Sequence, residues 1–596
     1  MSSAALDARV AAVDLAAALN SHFGFRGFRP GQRAACEAAL AGRDSLVVMP
    51  TGSGKSLCYQ LPALMRDDLT LVVSPLVSLM QDQVDALEQR GHGHAVALVN
   101  AQQDAGHNAR SLDRAESGEL RLLYVAPERF SSPGFADRLG RAGVGLFVVD
   151  EAHCVSQWGH DFRPDYFRLA DAARYVGARA IMASTATATP RVAADVARRL
   201  RLSDPVRVAT GFDRPNISFA VAPISELAKR RLLPELLRAD DALPAIVYAG
   251  TRAGAEETAR SLSDELGEEA LAYHAGLGRE SRASTQRRFL ADEVRVVVAT
   301  NAFGMGVDKP NVRTVVHASV PASLEAYYQE AGRAGRDGAP ARAVLLAEAR
   351  DKALHVHFIK RDELEDHTPE NLFRRLEATA SRDARYRLDA TPLARDLGLA
   401  TDGLRAVVGH LARAGVVEPA PAAPDTLAGR IASPFDRRAA TLCRASAAEG
   451  VRTRWRQYRE IWAYVEGGSC RRAAILRHFG DDAAATPGGP HRCCDTCNSE
   501  LAPSLPARDE APATGLDDAI LSVARAARPR VGRTTCAEIL HGARSRKVLR
   551  NSYDGLAAYG TSAQMRRADI LARIDALIAE RRLVTSGGRY PVLSLP

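Results

Sequence analysis

The chain has 596 residues, of which 46% are hydrophobic and 25% are charged, as expected for a folded protein of about four domains. No apolar run approaches the ~18 residues needed to cross a membrane. The alanine-rich start carries Asp7, Arg9 and Asp14, so it lacks the apolar core of a signal peptide. We therefore predict neither a membrane protein nor an exported one.

The net charge of +8 is concentrated at one end of the chain. Residues 521–596 hold 14 Arg or Lys against 5 Asp or Glu, and the residues before them are close to neutral. A clustered basic segment is the electrostatic signature of a nucleic-acid-binding surface. A solvated arginine-rich surface would have the same composition, so both interpretations stay open at this point.

The strongest motif is the glycine-rich stretch 49–56, MPTGSGKS. It follows an apolar run at 45–48, predicted to be a strand, and precedes a predicted helix at 57–64 that Pro62 bends or shortens. In this context backbone N–H groups close around phosphate oxygens, the lysine adds charge and the serine hydroxyl can ligate Mg²⁺. The predicted nucleotide-binding residues are Thr51, Gly52, Ser53, Gly54, Lys55 and Ser56.

Alternating apolar and helical patterns around this loop predict an α/β lobe with a parallel sheet. Strands are predicted at 69–73, 120–125, 145–149 and 180–183, and polar residues follow each of them. Ligands of such sheets bind at the carboxyl ends of the strands, so these polar groups should converge on the phosphate loop. Asp150 and Glu151 are the most informative, because one carboxylate can hold Mg²⁺ while its neighbour deprotonates water.

A second α/β block begins near Gly211, with strands predicted at 245–248, 269–273, 294–299 and 314–318 and no second phosphate loop. Its most distinctive segment is 327–338, YYQEAGRAGRDG, which carries Arg333 and Arg336. Arginine has a fixed fork of donors and a permanent charge, which suit it to stabilise charge developing on a γ-phosphate. We predict that the second lobe supplies arginines to a nucleotide held by the first.

The ordered set of motifs resembles superfamily 2 helicases and, within them, the RecQ family of DNA helicases. Three stretches carry the resemblance: FRPGQ at 28–32, the DEAH box with residues 154–164 after it, and YYQEAGRAGRDG. The resemblance covers about residues 20–345 and resumes from about 450. It implies two tandem RecA-like lobes that close on ATP and step 3′ to 5′ along a DNA strand, in repair or recombination.

The resemblance also implies roles for single residues. Gln32 would read adenine, an ability that its amide donor and acceptor give it. Asp150 would hold Mg²⁺ and Glu151 would act as the base. The other implied roles are phosphate and Mg²⁺ binding (Lys55, Ser56), arginine fingers (Arg336, Arg333), linkage of the second lobe to ATP and DNA (Gly306, Asp308) and coupling of hydrolysis to lobe movement (Thr185, Thr187).

The segment 156–164 corresponds to the aromatic-rich loop of this family. Trp158 could stack on an unpaired base, an interaction worth ~1–3 kcal/mol that is indifferent to sequence. His160 and Arg163 could report DNA contact to the ATP site. Simple packing of Trp158 beside the site is the alternative.

Residues 351–450 fit the family pattern poorly and are predicted to be an insertion. A helix near 391–399, a second helix at 402–414 and a strand at 416–418 resemble a small winged-helix or helix-turn-helix unit. With few basic residues on its second helix, contact with DNA or mere packing against neighbours are both open. Residues 419–424, PAPAAP, are predicted to be a stiff linker or a wing tip.

Four of the nine cysteines cluster after a predicted helix at 454–465: Cys470, Cys493, Cys494 and Cys497. Without an export signal, a metal site explains such a cluster better than disulfides do. Four thiolates make a closed structural Zn²⁺ site, which the RecQ resemblance also implies here. His491 is an alternative to Cys493 as the fourth ligand.

After a Pro- and Ala-rich linker at 503–515, three predicted helices and two short strands give a second winged-helix order. The basic stretch around Arg546 and Lys547 is placed to meet duplex phosphates. Tyr590, in the turn between the strands, could wedge at a strand junction or serve no such purpose. The predicted domains are therefore 1–208 and 209–350 (the two lobes), 351–450 (insertion), 451–502 (zinc subdomain), 503–515 (linker) and 516–596 (winged helix).

The favoured hypothesis is an ATP- and Mg²⁺-dependent DNA helicase with structural zinc. An RNA-dependent ATPase of the same superfamily is a second hypothesis, opposed by the aromatic loop and the zinc and winged-helix tail. A DNA-binding or strand-annealing protein with an inactive motor is a third, opposed by Lys55, Asp150, Glu151 and Arg336. Because no basic nuclear-localisation run or long disordered extension appears, we expect a bacterial, cytoplasmic, nucleoid-associated protein, with single-strand-binding or repair proteins as possible partners.

Overall fold

A computed structural model describes residues 14–75, 77–100, 103–132, 134–156, 166, 169–224, 226–303, 309–361, 363–420, 426–481, 492–503, 514–543, 545–586 and 591–596. The chain divides into two compact units. The first comprises Met1–Ile224 and Leu236–Pro503, and the second Ser225–Glu235 and Ser504–Pro596. Within the described parts of the chain, no helix is both long and apolar enough to span a bilayer.

The first lobe is built on a seven-stranded sheet in which every pair of neighbouring strands is parallel. Its strands are β1 (Ser45–Val48), β2 (Leu69–Val73), β3 (Val96–Val99), β4 (Leu122–Val125), β5 (Val144–Val149), β6 (Ala180–Thr185) and β7 (Val206–Ala209). Their order in space is β3-β4-β2-β5-β6-β1-β7. The lobe's helices are Leu15–Phe23, Gln32–Leu40, Leu57–Met65, Val77–Gln89, Ala105–Glu116, Phe135–Arg141, Leu169–Tyr175 and Pro190–Arg199, with 3-10 turns at Pro127–Ser131 and Ala152–Val155.

Alternation along β1 shows why this sheet is buried on both faces. Leu46 and Val48 belong to one apolar cluster, whereas Val47 and Met49 belong to another. Successive side chains of a strand point to opposite faces, so a continuous apolar run lets helices pack on both sides. The polar groups that follow the strands are thereby confined to the sheet's carboxyl edge.

The second lobe repeats this plan with a six-stranded parallel sheet. Its strands are β8 (Ile217–Pro223), β9 (Ala245–Tyr248), β10 (Ala270–Tyr273), β11 (Val296–Ala299), β12 (Thr314–His317) and β13 (Ala341–Ala347). They lie in the order β10-β11-β9-β12-β13-β8. The helices in this stretch of chain are Glu226–Arg238, Arg252–Leu266, Arg279–Leu290, Leu324–Ala331 and Ala349–Arg361.

The predicted fold class of two tandem parallel-sheet lobes is confirmed. Four strands of the two lobes were not predicted from the sequence: β3, β7, β8 and β13. β13 is alanine-rich and carries an arginine at its second position, so its local pattern does not separate strand from helix. β7 lies at the sheet edge and is only partly buried, so it lacks a continuous apolar run.

The insertion folds as a small winged-helix unit with its own apolar core. Its strands are β14 (Arg385–Asp389), β15 (Val417–Ala420) and β16 (Thr426–Ile431), antiparallel in the order β14-β16-β15. Three helices accompany them: Thr368–Ala378, Ala390–Asp396 and Thr401–Arg413. Pro419 and Ala420 lie in β15, and the rest of the stretch predicted to be a linker or a wing tip, residues 421–424, lies outside the described residues.

One helix crosses the boundary predicted at residue 450. A single helix runs from Arg437 to Glu466, whereas the sequence predicted a helix from 454 to 465. Its first half packs into the insertion core through Ala439 and Cys443, and its second half carries buried Trp462 and Tyr464 toward the lobes. The insertion and the zinc subdomain thus share one rigid element.

The zinc subdomain is fixed to the second lobe by main-chain and side-chain bonds. After the helix Arg471–His478, residues 493–495 run beside β8, where Phe219 N donates to Cys493 O (3.2 Å) and Asp495 N donates to Phe219 O (3.0 Å). Arg472 is 1% exposed and donates to Asp213 Oδ1 at 2.6 Å and Ile217 O at 2.6 Å. Both Nη groups of this buried guanidinium donate hydrogen bonds, which makes the junction specific.

The second unit contains the C-terminal helices and a two-stranded antiparallel sheet. Its helices are Thr514–Ala526, Arg533–Leu540, Arg546–Arg550 and Arg567–Ala579, followed by β17 (Val584–Thr585) and β18 (Leu593–Ser594). Ile520, Ile539, Ile570 and Ile574 lie in its core. The predicted winged-helix order of three helices and two strands is present, with one further short helix where the basic stretch was noted.

Candidate active site

The phosphate loop follows buried β1 and leads into the helix Leu57–Met65. Gly52 and Gly54 both have φ of 82°, a conformation that only glycine adopts without strain. A Cβ atom at Gly54 would lie 2.6 Å from Gln32 Nε2, so space as well as conformation requires glycine there. The loop is therefore built for close approach of a ligand to its backbone.

Gln32 lies against the phosphate loop. Its Oε1 accepts from Arg29 N at 2.8 Å, and its Nε2 donates to Ser53 O and Gly54 O, both at 3.1 Å. This amide is 3% exposed and its hydrogen bonds are satisfied by protein. Adenine recognition by Gln32 stays a prediction, and it would require these bonds to rearrange.

Lys55 lies at the base of the loop, where its Nζ donates to Met49 O at 3.2 Å. Burial lowers the pKa of Lys55, and the nearby carboxylates of Glu151 and Asp150 act to raise it. The lysine of the loop and the DEAH carboxylates therefore meet at one edge of the sheet, as predicted from the strand ends.

The two carboxylates stand at the end of β5 in a protected setting. Asp150 is 7% exposed, and its N–H donates to Val73 O at 2.9 Å. Burial, followed by the adjacent Glu151, raises the pKa of Asp150 to about 7, while Lys55 opposes the shift. A buried carboxylate whose ionisation is this costly, with a second carboxylate beside it, fits a site that takes a divalent cation, with the Ser56 hydroxyl as a further oxygen donor.

Glu151 and His153 connect this pair to the next strand. Glu151 has φ of 47°, a strained conformation for a residue with a side chain. His153 Nδ1 lies 3.3 Å from Glu151 Oε2 and 3.0 Å from Thr185 Oγ1. Thr185 Oγ1 also accepts from Thr187 N at 3.3 Å, so a continuous polar path joins the carboxylates to the two threonines.

The second lobe brings Arg336 to the phosphate loop. A Cβ atom at Gly52 would lie 3.3 Å from Arg336 Cγ and 3.6 Å from its Cβ. Arg336 is also among the charges that lower the pKa of Lys55, after the dominant effect of burial. This is the predicted cross-lobe arginine.

Arg333 is placed differently, because it is 4% exposed and inside the second lobe. It neighbours Tyr248 at the end of β9, where burial raises the pKa of the tyrosine to about 12 and the Arg333 charge opposes the shift. The sequence paired the two arginines as fingers, whereas in the structure Arg336 lies against Gly52 and Arg333 is buried within the second lobe.

Several predicted residues fall outside the described residues: Trp158, His160, Arg163, Gly306, Asp308, His491 and Tyr590. The described start of the aromatic-rich segment is anchored, since Ser156 Oγ donates to Asp195 Oδ2 at 2.7 Å. In the C-terminal unit, Arg546 opens the helix Arg546–Arg550, and exposed Lys547 donates to Thr535 Oγ1 at 2.9 Å. The DNA contacts predicted for both residues stay predictions.

Two further arginines touch the loop and were not predicted. Arg29 Nη1 donates to Gly52 O at 2.6 Å, and Arg214 Nη1 donates to Thr51 O at 3.1 Å. Both stand in polar segments that contain glycine and proline, and these segments gave no indication of their target.

The four clustered cysteines form a metal site. Their sulfur atoms all lie within 4.8 Å of one another, with Cys470 Sγ at 3.5 Å from Cys493 Sγ and 3.9 Å from Cys494 Sγ. Tetrahedral zinc with Zn–S bonds of about 2.3 Å needs sulfurs about 3.8 Å apart. Burial disfavours the Cys494 thiolate, but N–H groups of Arg471, Cys497 and Thr496 lower its pKa below the usual value.

Four family descriptions match the chain in succession. They are DEAD/DEAH box helicase (residues 29–196), helicase conserved C-terminal domain (228–338), RecQ zinc-binding (437–498) and RQC domain (513–596). A Bacillus subtilis ATP-dependent DNA helicase RecQ is 32% identical over 577 residues, which cover 96% of this chain and 81% of the relative. The chain belongs to the RecQ family of ATP-dependent DNA helicases. Residues 339–436, which include the winged-helix insertion, lie outside the four matched segments.

Two more relatives show how the likeness is distributed. The probable ATP-dependent DNA helicase RecS of Bacillus subtilis is 34% identical over 485 residues, 81% of this chain and 92% of the relative. The RecQ helicase of Pasteurella multocida is 44% identical over 346 residues, 58% of this chain. The match spans 54%, about half, of the length of that relative.

We predict that the purified RecQ-family protein carries about one zinc per chain, because four thiolates close one tetrahedral site. Cys494→Ser should weaken zinc binding by at least about 100-fold, since loss of a ligand exceeds the 10–100-fold cost of losing an outer-shell partner. Metal analysis and chelator competition measure both. Cys536→Ser, in the core of the C-terminal unit, is the control and should keep its zinc. His491→Ala should also keep its zinc. If His491→Ala lost zinc while Cys493→Ser retained it, His491 and not Cys493 would be the fourth ligand.

Proposed function

We propose that this protein is an ATP-driven DNA helicase that unwinds duplexes with 3′ to 5′ polarity. The observation that carries the proposal is Arg336 of the second lobe beside Gly52 of the phosphate loop in the first. A nucleotide bound there would touch both lobes, so its hydrolysis would change their contact. Because the chain belongs to a family of DNA helicases, we propose that this movement acts on DNA.

The proposed chemistry divides among residues that the fold brings together. Lys55 and the loop N–H groups bind the phosphates, and Glu151 orients and deprotonates the attacking water. Arg336 stabilises charge that develops on the γ-phosphoryl group. When bound, Mg²⁺ neutralises charge on the phosphate oxygens, and Ser56 and Asp150 are the residues that would hold it.

The change at the γ-phosphate would reach the rest of the first lobe through His153 and Thr185. Their 3.0 Å contact joins the DEAH segment to the end of β6. Trp158, His160 and Arg163, proposed DNA-coupling residues, follow the same segment in sequence. We further propose that the basic C-terminal unit binds duplex DNA, and that the protein acts in repair or recombination in the bacterial cytoplasm.

The decisive assay measures unwinding of DNA and RNA duplexes that carry a 3′ or a 5′ single-stranded tail. We expect unwinding of the 3′-tailed DNA duplex, dependent on ATP and Mg²⁺. Lys55→Ala should reduce it by at least about 100-fold, because charge stabilisation at the phosphates is lost. Selective activity on RNA would favour the RNA-dependent ATPase. Annealing that Lys55→Ala does not change, without unwinding, would favour a DNA-binding protein with an inactive motor.

We predict that Trp158→Ala keeps the ATPase activity measured without DNA but loses most of its stimulation by single-stranded DNA. The physical reason is the loss of ~1–3 kcal/mol of base stacking. ATPase titrations with single-stranded DNA measure the effect. Tyr175→Ala removes another aromatic side chain of the first lobe, 65% exposed, and should leave the stimulation unchanged. Normal stimulation in Trp158→Ala would remove the stacking role.

A further inference from the structure

Arg214 occupies the junction between the phosphate loop and the segment that carries Arg336. Its guanidinium makes four hydrogen bonds to main-chain carbonyls, one of them to Thr51 O at 3.1 Å in the phosphate loop. The other three run to Gly332 O (2.9 Å), Ala334 O (2.9 Å) and Gly335 O (3.1 Å) in the second lobe. One side chain thus ties the two halves of the nucleotide site together.

The geometry of these bonds requires arginine. The Nη1 group donates to both lobes, while Nη2 holds two successive carbonyls of the turn that leads into Arg336. A planar fork spans such a set, whereas the single ammonium of lysine cannot reach it. Burial lowers the pKa of Arg214, which is consistent with a charge taken from water for the sake of these contacts.

The segment around Arg214 is itself held from several sides. Arg472 of the zinc subdomain donates to Asp213 Oδ1 at 2.6 Å and to Arg214 O at 2.8 Å. Asn216 Nδ2 donates to Gly335 O at 2.7 Å and to Ala339 O at 2.8 Å. The Arg214 side chain therefore projects from a fixed backbone, so its tip can set the distance between the two loops.

We propose that Arg214 is a positioning residue for hydrolysis, which holds the Arg336 segment in register with the phosphate loop. It acts through Arg336 and not on the phosphates. The backbone of Arg214 is in turn braced by Arg472, so the zinc subdomain contributes to alignment of the nucleotide site. This inference rests on the proposed function, because it takes the site to hydrolyse ATP.

A disulfide between the two loops tests the positioning without any enzyme assay. Gly52→Cys combined with Arg336→Cys would place two Cβ atoms about 3.6 Å apart, within the range that a disulfide needs. We expect this pair to oxidise readily with Arg214 intact and about tenfold more slowly in Arg214→Lys, because the fork that holds the loops in register is lost. Arg66→Lys is the control, since Arg66 is a similarly buried arginine that pairs with Asp68 in the first lobe.

A side chain at Gly52, where φ is 82°, strains the loop equally in all of these variants, so the comparison between them decides: equal rates in Arg214→Lys and the control would overturn the inference. Peptide mapping identifies the new bond against the native cysteines, all nine of which are among the described residues and none of which forms a disulfide. This test reads geometry alone, so it stands whether or not the protein proves to be a helicase.

A double-mutant cycle tests the path of action. Arg214→Lys should lower the hydrolysis rate at saturating ATP by about 100-fold, the cost of misplacing a catalytic group by about 1 Å. Binding of a fluorescent ATP analogue should change by less than about threefold, because Lys55 and the loop remain. Combined with Arg336→Ala, the Arg214→Lys change should add less than about twofold.

If Arg214→Lys and Arg336→Ala lowered the hydrolysis rate by factors that multiply in the double variant, action through Arg336 would be contradicted. It would also be contradicted if Arg214→Lys weakened nucleotide binding alone and left the hydrolysis rate unchanged. A wild-type protein that hydrolyses no ATP would refute the proposed function instead, and the disulfide test would still decide the positioning role.

Discussion

A phosphate loop alone binds a nucleotide but does not connect it to a second domain. The contact between Arg336 and Gly52 connects the loop of the first lobe to the second lobe. The guanidinium comes from a different sheet than the loop, so the charge that we propose stabilises the transition state depends on how the two lobes meet. Electrostatic stabilisation falls off sharply when a donor leaves its position. Under the proposed function catalysis depends on lobe alignment, and whatever holds the lobes in register would control hydrolysis.

Buried charged side chains hold the two lobes in this alignment. Arg214, Arg472 and Asp213 form a chain of bonds from the phosphate loop to the zinc subdomain. Buried ion pairs of this kind contribute little net stability, but loss of one partner leaves a costly unpaired group. Such residues specify one arrangement of packed elements. Cys470 caps the helix that carries Arg472, and Cys493 is bonded to β8, so zinc held by the four thiolates would keep that helix beside the strand.

The chemistry of the motifs could be predicted from the sequence because the residues of each motif lie close together in the chain. The phosphate loop, the DEAH carboxylates and the four cysteines each needed only local spacing and the rule that strand ends converge. Arg214 could not be found in this way, since its partners Thr51 and Gly335 are remote in sequence and are main-chain atoms that any residue type would supply. The same reason hid the difference between Arg333 and Arg336, which the spacing of the motif treats alike but burial separates.

Tertiary context also decided the elements that were missed. β13 is a strand because it pairs with β12 and β8, and β8 because it pairs with β13; neither has a distinctive local pattern. The helix from Arg437 to Glu466 begins earlier than predicted because its first half is enclosed by the insertion. The insertion itself was predicted from two helices and a strand, but its attachment through a shared helix follows only from packing.

The most direct test of the central claim is single-turnover ATP hydrolysis by Arg336→Ala, with nucleotide binding measured in parallel. We predict that the hydrolysis rate falls by at least about 1,000-fold, while the ATP affinity stays within about threefold of that of the wild type. Arg279→Ala, an exposed arginine of the same lobe, should match the wild type in both. A hydrolysis rate in Arg336→Ala equal to that of the wild type would contradict the claim that the second lobe completes the nucleotide site.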